Sequence, residues 1–502
     1  MPDIKLLIDT NIVIGLEDAG EVKTAFADLT RKCSENSIRV FVHEASKKDI
    51  ERDKNLQRRK ATLSKIAKFP ILKDVAIPDR TVLENTFGNL PKPNDVIDAI
   101  LLCAVSSNII DLLVSEDDGL HRRARRAGLE DRTLTVAEAL AWIKQTYEPE
   151  EVVLPSVEAI KAYGLVNSDP IFNGLRADYS GFDKWLDKCK TAHRDCWIIR
   201  ESGVLAGVVI RKDESHSEAD TEHLGPKITK VCTFKVSDSH PGKKYGEQLL
   251  KQIVWHAQCN RYDLVYLTAF AKQAALIRLI EEYGFRRESR RANGEFVFEK
   301  PIGRGPVTVP PTITVLEADR RHYPRFVDGE DVRKFVIPIR QPYHRKLFPE
   351  VGPTAPGAPS SGVGKPGNTI RKVYLCRAMT QQMQSGDMLF FYMSKGIGYG
   401  SQSLTSVGIV ESVRLSDDLD EVIRWTAKRS VFSVHDLSNL VSQRQPPLKI
   451  IDFILIGHLD PIISYKTLVE EGVLRGVPQS ICKLSAVQYR KLKPLLRLGF
   501  SF

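Results

Sequence analysis

The first stretch of the chain that could do chemistry is KLLID, an apolar run that ends in Asp9. It reads as a buried strand, and a carboxylate at the edge of a core is costly unless it is paired, hydrogen-bonded or bound to a metal. A second strand, DLLVS, is followed by Glu116 and Asp117, while Asp49 and Asp98 lie near the starts of predicted helices. Oxygen-only ligand sets suit Mg²⁺ or Mn²⁺, and such ions activate water for phosphodiester cleavage.

Each of these carboxylates also has a purely structural interpretation. Asp98 lies early in its predicted helix, where a negative charge favours the helix dipole, Asp117 fits a turn, and Asp9 fits an N-cap. Because parallel strands place their carboxyl ends at one edge of a sheet, acids at successive strand ends favour a shared metal site. The arginines that follow Asp117 fit either an RNA-backbone contact or a solvated helix face: Arg122, Arg123, Arg125 and Arg126.

A second candidate site is a strand, KITKVCTFKVS, that runs into the turn DSHPGKKYG and then into a helix. A Gly-containing turn at a helix start presents backbone N–H groups to an anion, so this stretch predicts a pyrophosphate site. Glu222 and His223 are candidates for a general base, and the alternative is that they lie on an exposed loop.

A third candidate joins aromatic and basic side chains in the run Tyr343, His344, Arg345 and Lys346. Such groups stack on unpaired bases and hold phosphates, as single-stranded RNA requires. The alternative is surface packing around the neighbouring loop.

Composition sets the wider limits. The chain has 502 residues, 42% of them hydrophobic, which predicts three domains of ordinary size. The net charge of +10 favours a polyanionic partner such as RNA. No stretch approaches the roughly 20 apolar residues of a membrane span, and the N-terminus does not read as a signal peptide. The eight scattered cysteines predict reduced thiols, a cytoplasmic protein and no structural zinc.

Breaks rich in proline and glycine divide the chain into predicted domains at 1–148, 152–300 and 312–502, with a flexible loop at 351–368 inside the last. In the first domain strands alternate with helices, which predicts a parallel sheet. The second contains a predicted hairpin, DCWIIRESGVLAGVVIRK, and the third reads as short strands with Gly turns. The predicted fold class is therefore α/β and multidomain.

The first domain resembles the PIN-domain family of metal-dependent nucleases, which includes toxins of bacterial toxin–antitoxin operons. The matching pieces are LLIDTNIVI, HEASKKDI, DAILLCAV and LLVSEDDGLHRRARRAGL, in that order, over about residues 4–145. The resemblance implies a PIN-like parallel α/β sheet and an acidic catalytic set, with two polar helpers, Asn11 and Ser115. The catalytic set is Asp9, Asp49, Asp98 and Asp117. The implied metal ligands are Asp9, Asp98 and Asp117, with Glu44 as the alternative to Asp49 and Asp95 as an extra ligand.

The middle domain resembles the GNAT acetyltransferases, whose mixed α+β sheet carries a pyrophosphate loop after a central strand. The family's strand valine and last loop glycine correspond to Val236 and Gly246, and EEYGF matches the family's ending. The resemblance implies that acetyl-CoA is bound by one strand end and the loop after it: Phe234, Lys235, Val236, Gly242, Lys243, Lys244, Tyr245, Gly246 and Glu247.

The chain departs from the GNAT pattern at two places. In the loop, Lys244 replaces the usual first glycine and Pro241 the usual Gln or Arg. Ile280 stands where the family often has the tyrosine that protonates the departing thiolate. Binding of acetyl-CoA survives these changes better than catalysis does, and a degenerate domain that acts as a scaffold is the alternative.

The last domain resembles the PUA-like fold of ASCH and EVE domains over roughly 320–502, mainly in GDMLFFY and SVGIVESV. The resemblance implies a small β-barrel of a kind that often binds RNA or modified bases. Tyr343, Arg345 and Lys346 are the predicted RNA contacts in this domain, alongside Arg122 and Arg123 in the first.

The leading prediction is a Mg²⁺- or Mn²⁺-dependent ribonuclease, toxin-like or RNA-processing, fused to an acetyl-CoA-binding domain and an RNA-binding domain. The alternative is an N-acetyltransferase acting on protein or aminoacyl-tRNA, with the outer domains docking RNA. A non-enzymatic RNA-binding regulator is a third interpretation. RNA is the expected partner, and an antitoxin protein is a further one that the toxin-like resemblance implies.

Overall fold

The computed structural model describes all of the chain except residues 1–3, 10, 13–19, 52–54, 74, 148–156, 202, 238–243, 352–368, 380–382, 428–431 and 443–445. The described residues form two compact units. One contains residues of 1–152 and 416–445, and the other contains residues of 153–238, 244–415 and 446–502. The loop predicted at 351–368 lies outside the description except for Val351.

All eight cysteines fall in the described ranges, and none of them is in a disulfide. Among the helices of the described ranges, none combines the length and the apolar character needed to cross a bilayer.

The first unit is built on five parallel strands in the order β3-β2-β1-β4-β5. The strands are β1 (Lys5–Ile8), β2 (Arg39–His43), β3 (Ile71–Leu72), β4 (Leu112–Val114) and β5 (Thr133–Leu134). The helices are α1 (Gly20–Glu35), α2 (Glu44–Glu51), α3 (Leu56–Ile66), α4 (Arg80–Phe87), α5 (Pro93–Ser106), α6 (Asp118–Arg126) and α7 (Val136–Tyr147). The predicted parallel α/β sheet is confirmed.

The order of the strands explains where a site can form in this unit. The strand order reverses between β1 and β4, which pair directly, and crevices in parallel sheets open at the carboxyl ends of strands beside such a reversal. Asp9 follows β1 and Ser115 follows β4, and the N–H of Asp9 donates to Val114 O at 2.9 Å. The strand core is fully buried at Leu6 and Leu7, so hydrophobic burial holds these two ends side by side.

The second unit begins with a mixed seven-stranded sheet in the order β11-β12-β10-β9-β8-β7-β6. Its strands are β6 (Val157–Lys161), β7 (Asp195–Glu201), β8 (Val204–Glu214), β9 (Ile228–Val236), β10 (Leu264–Ala269), β11 (Arg286–Arg290) and β12 (Phe296–Pro301). Its helices are α8 (Asn173–Asp178), α9 (Phe182–Thr191), α10 (Tyr245–Cys259) and α11 (Ala274–Glu282). The antiparallel pairing of β7 with β8 confirms the predicted hairpin.

The rest of the second unit is a six-stranded sheet in the order β14-β17-β16-β15-β13-β18. Its strands are β13 (Lys334–Ile339), β14 (Arg371–Cys376), β15 (Met388–Met393), β16 (Ser403–Ser416), β17 (Leu448–Ser464) and β18 (Cys482–Leu484). The remaining helices of the chain are α12 (Val315–His322), α13 (Gln341–Leu347), α14 (Leu419–Thr426), α15 (Val434–Ser442), α16 (Tyr465–Glu470) and α17 (Ala486–Leu492). In the part of the chain that is described, β14 and β18 are the two ends of this sheet, so the predicted closed barrel is not seen.

The two sheets of the second unit share one hydrophobic core, and α10 lies between them. Trp255 of α10 donates its Nε1–H to the Tyr323 hydroxyl at 3.3 Å, and that hydroxyl donates to Leu455 O of β17 at 3.1 Å. At Gly457 a Cβ would lie 2.4 Å from the Trp255 ring, so only glycine lets β17 approach the helix this closely. The middle and C-terminal parts of the chain therefore pack as one body.

Gly284 is the second point of close approach between these parts. It follows α11 with φ +88, a left-handed conformation that favours glycine. A Cβ at this position would lie 2.0 Å from the backbone oxygen of Arg321 in α12. The same oxygen accepts a hydrogen bond from the buried Lys300 Nζ at 2.8 Å. The glycine that matches the ending of the GNAT pattern is thus also a packing requirement of the C-terminal part.

Helices α14 and α15 leave the C-terminal sheet between β16 and β17 and belong to the first unit. Arg424 of α14 binds Asp111 Oδ1 at 2.5 Å, and Asp111 Oδ2 accepts the N–H of Lys5 at 2.7 Å. Asp111 is only 4% exposed and immediately precedes β4. This insertion therefore ties together the amino ends of β1 and β4.

Candidate functional site

The middle sheet opens between β9 and β10. The two strands pair in parallel from Ile228 with Leu264 to Val231 with Leu267, where their pairing ends. Beyond that point β9 continues to Val236 against β8 alone, and β10 continues to Ala269 against β12 alone. The diverging ends leave a cleft at the middle of the sheet.

The edge of β9 that faces this cleft carries backbone hydrogen-bonding groups. Ser237 N donates to Ala206 O of the β8 side at 2.9 Å, and successive residues of an antiparallel strand turn these groups to opposite sides. The N–H and C=O of Phe234 and Val236 therefore point into the cleft. A ligand with amide groups would complete the ladder there, in the place predicted for acetyl-CoA.

Helix α10 begins next to this strand end. Its N-cap, Lys244, has a left-handed backbone (φ 57, ψ 24), and the first N–H groups of any helix lack acceptors within it. A Cβ on Gly246 would lie 3.2 Å from Leu279 Cδ2 of α11 and 3.8 Å from Val236 Cγ2. The predicted loop glycine is therefore the residue that lets the helix start close to the cleft.

The side chains of the other predicted loop residues have different positions. Tyr245 is buried and donates its hydroxyl to Glu201 Oε2 at 2.7 Å, and burial with this carboxylate raises its pKa above the usual value. Glu247 accepts the N–H of Arg371. Lys235 Nζ lies near Gly174 of α8. Gly242 and Lys243 lie outside the described residues.

The candidate catalytic groups of the middle domain do not line the cleft. Ile280 is fully buried in the shared core, where an aliphatic side chain has no proton to give. The N–H groups of Glu222 and His223 donate to the buried Glu299 carboxylate of β12 at 2.8 and 2.9 Å. Glu299 lies opposite Tyr266 of β10, at a position where β9 and β10 are still paired. The structure therefore places this pair on a loop anchored away from the opening.

A second polar group lies where β10 ends. The ring of Tyr179, just after α8, lies 5.5 Å from that of Phe270, and its hydroxyl donates to Glu295 Oε1 at 2.7 Å. Glu295 is 5% exposed and also accepts from Asn293 Nδ2 at 2.9 Å. Sequence reasoning missed this pair because its members lie far apart in the chain and neither belongs to a local motif.

In the first unit, the two polar helpers and Asp9 form a connected group. Ser115 Oγ donates to Asp9 Oδ2 at 2.8 Å, and Asn11 Nδ2 donates to Ser115 Oγ at 3.3 Å. Asp117 caps α6 by accepting the N–H of Leu120 at 2.9 Å. Asp9 is thus held by hydrogen bonds. Asp117 caps a helix, as its structural interpretation states, and it also lies beside the crevice.

Asp98 faces the same crevice from α5. Burial raises its pKa to about 7, and the carboxylates of Asp9 and Asp117 add to the shift. Arg123 of α6 counters it only in part, because its closest contact is Asp95 Oδ1 at 2.7 Å and it lies 3.8 Å from Asp98 Oδ2. The structure therefore brings Asp9, Asp98 and Asp117 together around an excess of negative charge.

The raised pKa of Asp98 predicts a pH-dependent stability. The folded protein holds this proton between the ordinary carboxyl pKa and about 7, so the Asp98 contribution to stability falls as pH rises through that window. Asp98→Asn removes the ionisation and is expected to raise the melting temperature of the first unit near pH 8, with little effect near pH 5.

Calorimetric melting in EDTA at the two pH values measures this effect. Asp28→Asn, which removes a half-exposed carboxylate on α1, is the control. An Asp98→Asn shift of the same size at both pH values would show that Asp98 is not protonated in the folded protein.

The remaining predicted ligands are less well placed. Glu44 binds Lys48 Nζ at 2.9 Å, and the side chain of Asp49, on α2, lies outside the description. Among the described residues, no three His, Cys, Asp or Glu side chains are arranged to hold a metal ion. The predicted Mg²⁺ or Mn²⁺ therefore stays a prediction.

The two predicted RNA contacts of the first unit, Arg122 and Arg123, have different surroundings. Arg123 is paired with acids of the crevice and donates to Asn89 O at 2.9 Å, so its charge is already used. Arg122 is exposed on the same helix, as are Arg125 and Arg126. Exposure of these three fits both an RNA contact and a solvated face, so the predicted RNA contact stays a prediction.

The predicted contacts of the C-terminal sheet lie on α13. Tyr343 is 41% exposed, and Arg345 and Lys346 are exposed, whereas His344 is buried against Thr405 Oγ1 at 2.7 Å. Gln341 binds both backbone groups of Ile397 and so fixes the glycine-rich loop 394–402 beside α13. Ile397 and Tyr399 of this loop are 86% and 44% exposed. The loop 394–402 therefore extends the predicted RNA-binding surface of α13. The sequence analysis did not single out this loop.

Comparisons with known proteins bear on the middle of the chain. Residues 163–285 match the model of the acetyltransferase (GNAT) family. No curated protein is similar to the chain at a significant level. The chain therefore carries a GNAT acetyltransferase domain at 163–285, which confirms the predicted GNAT resemblance of the middle domain. The predicted bounds, 152–300, and the predicted site residues stay predictions. The nuclease resemblance of the first domain stays a prediction.

Solved structures resemble separate parts of the chain. An ASCH protein from Zymomonas mobilis aligns with 33% of this chain and 96% of its own, at 13% identity and TM-score 0.24. An N-acetyltransferase from Staphylococcus aureus Mu50 aligns with 29% of this chain and 96% of its own, at 15% identity and TM-score 0.24. A GNAT family acetyltransferase from Elizabethkingia anophelis with acetyl-CoA bound aligns with 29% and 97%, at 13% identity and TM-score 0.21.

Proposed function

We propose that the protein is an acetyl-CoA-dependent N-acetyltransferase. The observation that carries the proposal is the cleft between β9 and β10, where the exposed backbone edge of β9 meets the start of α10 at Gly246. The match of residues 163–285 to the acetyltransferase family supports it. This was the alternative of the sequence analysis, and it has more support than the ribonuclease.

The residues present suit the ligand. The backbone groups of Phe234 and Val236 would bind the amides of the pantetheine arm, and the helix start at Gly246 would bind the pyrophosphate. Acetyl-CoA supplies an acyl thioester whose acetyl group passes to an amine. Glu295, which accepts a hydrogen bond from Tyr179, is the carboxylate that would take the proton that the amine gives up. Ile280 cannot return one to the thiolate, so solvent would do so.

Gly246→Leu tests the proposal. The new side chain would collide with Leu279 and fill the space between β9 and α10, so acetyl-CoA binding and acetyl transfer are both expected to be lost. Calorimetric titration with acetyl-CoA and thiol release with a panel of amines and aminoacyl-tRNA measure the two effects. Gly476→Leu is the matched control, because a Cβ there meets no atom within 4 Å.

If wild-type protein neither binds acetyl-CoA nor releases thiol with any acceptor, the proposal fails. If Gly246→Leu folds and still binds acetyl-CoA like the wild type, the cleft is not the site.

A metal-dependent ribonuclease is the second candidate function. The specific observation in its favour is the convergence of Asp9, Asp98 and Asp117 at the strand-order reversal, where burial and then the other two carboxylates raise the pKa of Asp98. Mg²⁺ or Mn²⁺ would supply an activated water for phosphodiester cleavage. The three carboxylates would first have to move closer together, because no three acids of the described residues are arranged around a metal ion. The surface formed by α13 and the loop 394–402 would help to bind the RNA.

The ribonuclease proposal is tested with end-labelled RNA in Mn²⁺ or Mg²⁺, with EDTA, Asp9→Asn and Asp28→Asn samples beside it. Cleavage that requires the metal and Asp9 but not Asp28 would support the nuclease. Equal cleavage by wild type and Asp9→Asn would mark the activity as a contaminant and overturn the proposal.

A further inference from the structure

A group of charged side chains joins the start of α10 to the C-terminal sheet. Arg371, the first residue of β14, donates its backbone N–H to Glu247 Oε1 at 2.7 Å. Its guanidinium binds Glu282, the last residue of α11, at 3.1 Å and Glu411 of β16 at 2.7 Å. One residue of the C-terminal part thus holds carboxylates from both helices that border the proposed acetyl-CoA site.

These charges are largely removed from solvent. The side chains of Arg371 and Glu282 are each 14% exposed, and that of Glu411 is 4% exposed. Arg320 binds the second oxygen of Glu411 at 2.6 Å. If Arg371 were replaced, Glu411 would therefore keep its ion pair with Arg320, whereas Glu282 would lose its ion pair with Arg371. Charges in such surroundings are weakly screened, and removal of one leaves the others poorly compensated.

The place of Glu247 gives this group its relevance to the ligand. A helix start attracts an anion, but a carboxylate in the same first turn repels one. Arg371 opposes that repulsion in two ways, because its N–H fixes the Glu247 carboxylate and its guanidinium adds a positive charge nearby. A pyrophosphate at the helix start would therefore depend on a residue outside the matched acetyltransferase region.

We propose that Arg371 is a positioning residue of the acetyl-CoA site, so that the C-terminal part of the chain completes a site built on the middle sheet. The inference rests on the proposed acetyltransferase function. The inference predicts that Arg371 affects binding of the charged pyrophosphate and not of the pantetheine arm, because that arm would contact only the backbone of β9.

The test compares the binding of CoA with that of pantetheine, which lacks the pyrophosphate. In Arg371→Gln the affinity for CoA is expected to fall roughly tenfold, as for loss of a charge interaction at a helix terminus. The affinity for pantetheine is expected to stay the same. Calorimetric titrations give both constants, and Arg475→Gln, a change of an exposed arginine in the same unit, is the control.

Two further variants keep the inference testable if Arg371→Gln folds poorly. Arg371→Lys keeps the positive charge but cannot bind Glu282 and Glu411 with two arms of a guanidinium, so it is expected to lose less CoA affinity than Arg371→Gln. Combining Arg371→Gln with Glu282→Gln removes one charge of each sign and is expected to restore most of the CoA affinity.

The outcomes separate the two proposals. Wild-type protein that does not bind CoA would overturn the acetyltransferase and this inference with it. Wild-type binding with equal losses of CoA and pantetheine affinity in Arg371→Gln would mean a merely structural role. Unchanged CoA affinity in Arg371→Gln would likewise overturn the inference and leave the acetyltransferase intact.

Discussion

Gly284→Ala is expected to destabilise the second unit by roughly 3 kcal/mol or more. Two causes add together. The residue has φ +88, which costs a non-glycine residue roughly 1 kcal/mol. The new Cβ would also lie 2.0 Å from Arg321 O. Because that oxygen belongs to backbone and is held by Lys300, α12 must move as a whole to relieve the contact.

The matched control for this prediction is Gly305→Ala. Gly305 has φ +75, and a Cβ there meets no atom within 4 Å, so only the conformational cost of roughly 1 kcal/mol remains. Urea unfolding of both variants measures the difference. Equal losses of stability in the two would mean that α12 shifts without cost and that the contact between the two sheets is looser than the structure indicates.

Glu350→Gln is expected to cost the second unit about 3–5 kcal/mol near neutral pH. Glu350 Oε1 lies 3.0 Å from His458 Nε2 and 3.7 Å from Lys251 Nζ, and the carboxylate also faces the buried Lys372. These neighbours hold the pKa of Glu350 well below its usual range despite burial. Without the carboxylate, the two buried lysines lose their main counter-charge and keep only the weaker influence of Glu247.

The same cluster gives the loss a characteristic pH dependence. Burial lowers the pKa of Lys372 to about 8, and Glu350 is the main influence that raises it. In the variant this pKa falls further below the unfolded value. Between the folded and the unfolded pKa of Lys372, the unfolded chain binds more protons than the folded protein does. The stability of the variant therefore rises with pH in that range.

Melting curves from about pH 6 to about pH 9 measure this dependence, and the gap between wild type and Glu350→Gln should narrow towards the alkaline end. Glu330→Gln, at an exposed carboxylate of the same unit, is the control. A constant gap would mean that the lysines are uncharged already at neutral pH.

Features coded by local pattern could be predicted from the sequence. The parallel sheet follows from strand–helix alternation, and the placement of Asp9 and Asp117 follows from strands that end in acids. The strand end at Phe234–Val236 and the close approach at Gly246 follow from a strand, turn and helix in series. Each of these depends on residues that are neighbours in the chain.

Other features depend on which face of an element meets which partner. The side chain of Tyr245 binds Glu201, and that of Arg123 binds Asp95. Neither partner could be predicted, because helix periodicity does not say which neighbour a face will contact. The contacts of Arg371 with Glu247 and of Tyr179 with Glu295 join residues more than 100 positions apart, and no local signal marks them.

The insertion of α14 and α15 into the first unit has a consequence for how the chain is made. Asp111 and the amino ends of β1 and β4 lie near the start of the chain, whereas Arg424, which binds Asp111, is translated long after them. On the ribosome, the first unit must wait for most of the second to emerge before its last ion pair can form. A nascent chain stopped before residue 416 lacks Arg424, so Asp111 would keep the hydrogen bond from the Lys5 N–H but not this ion pair.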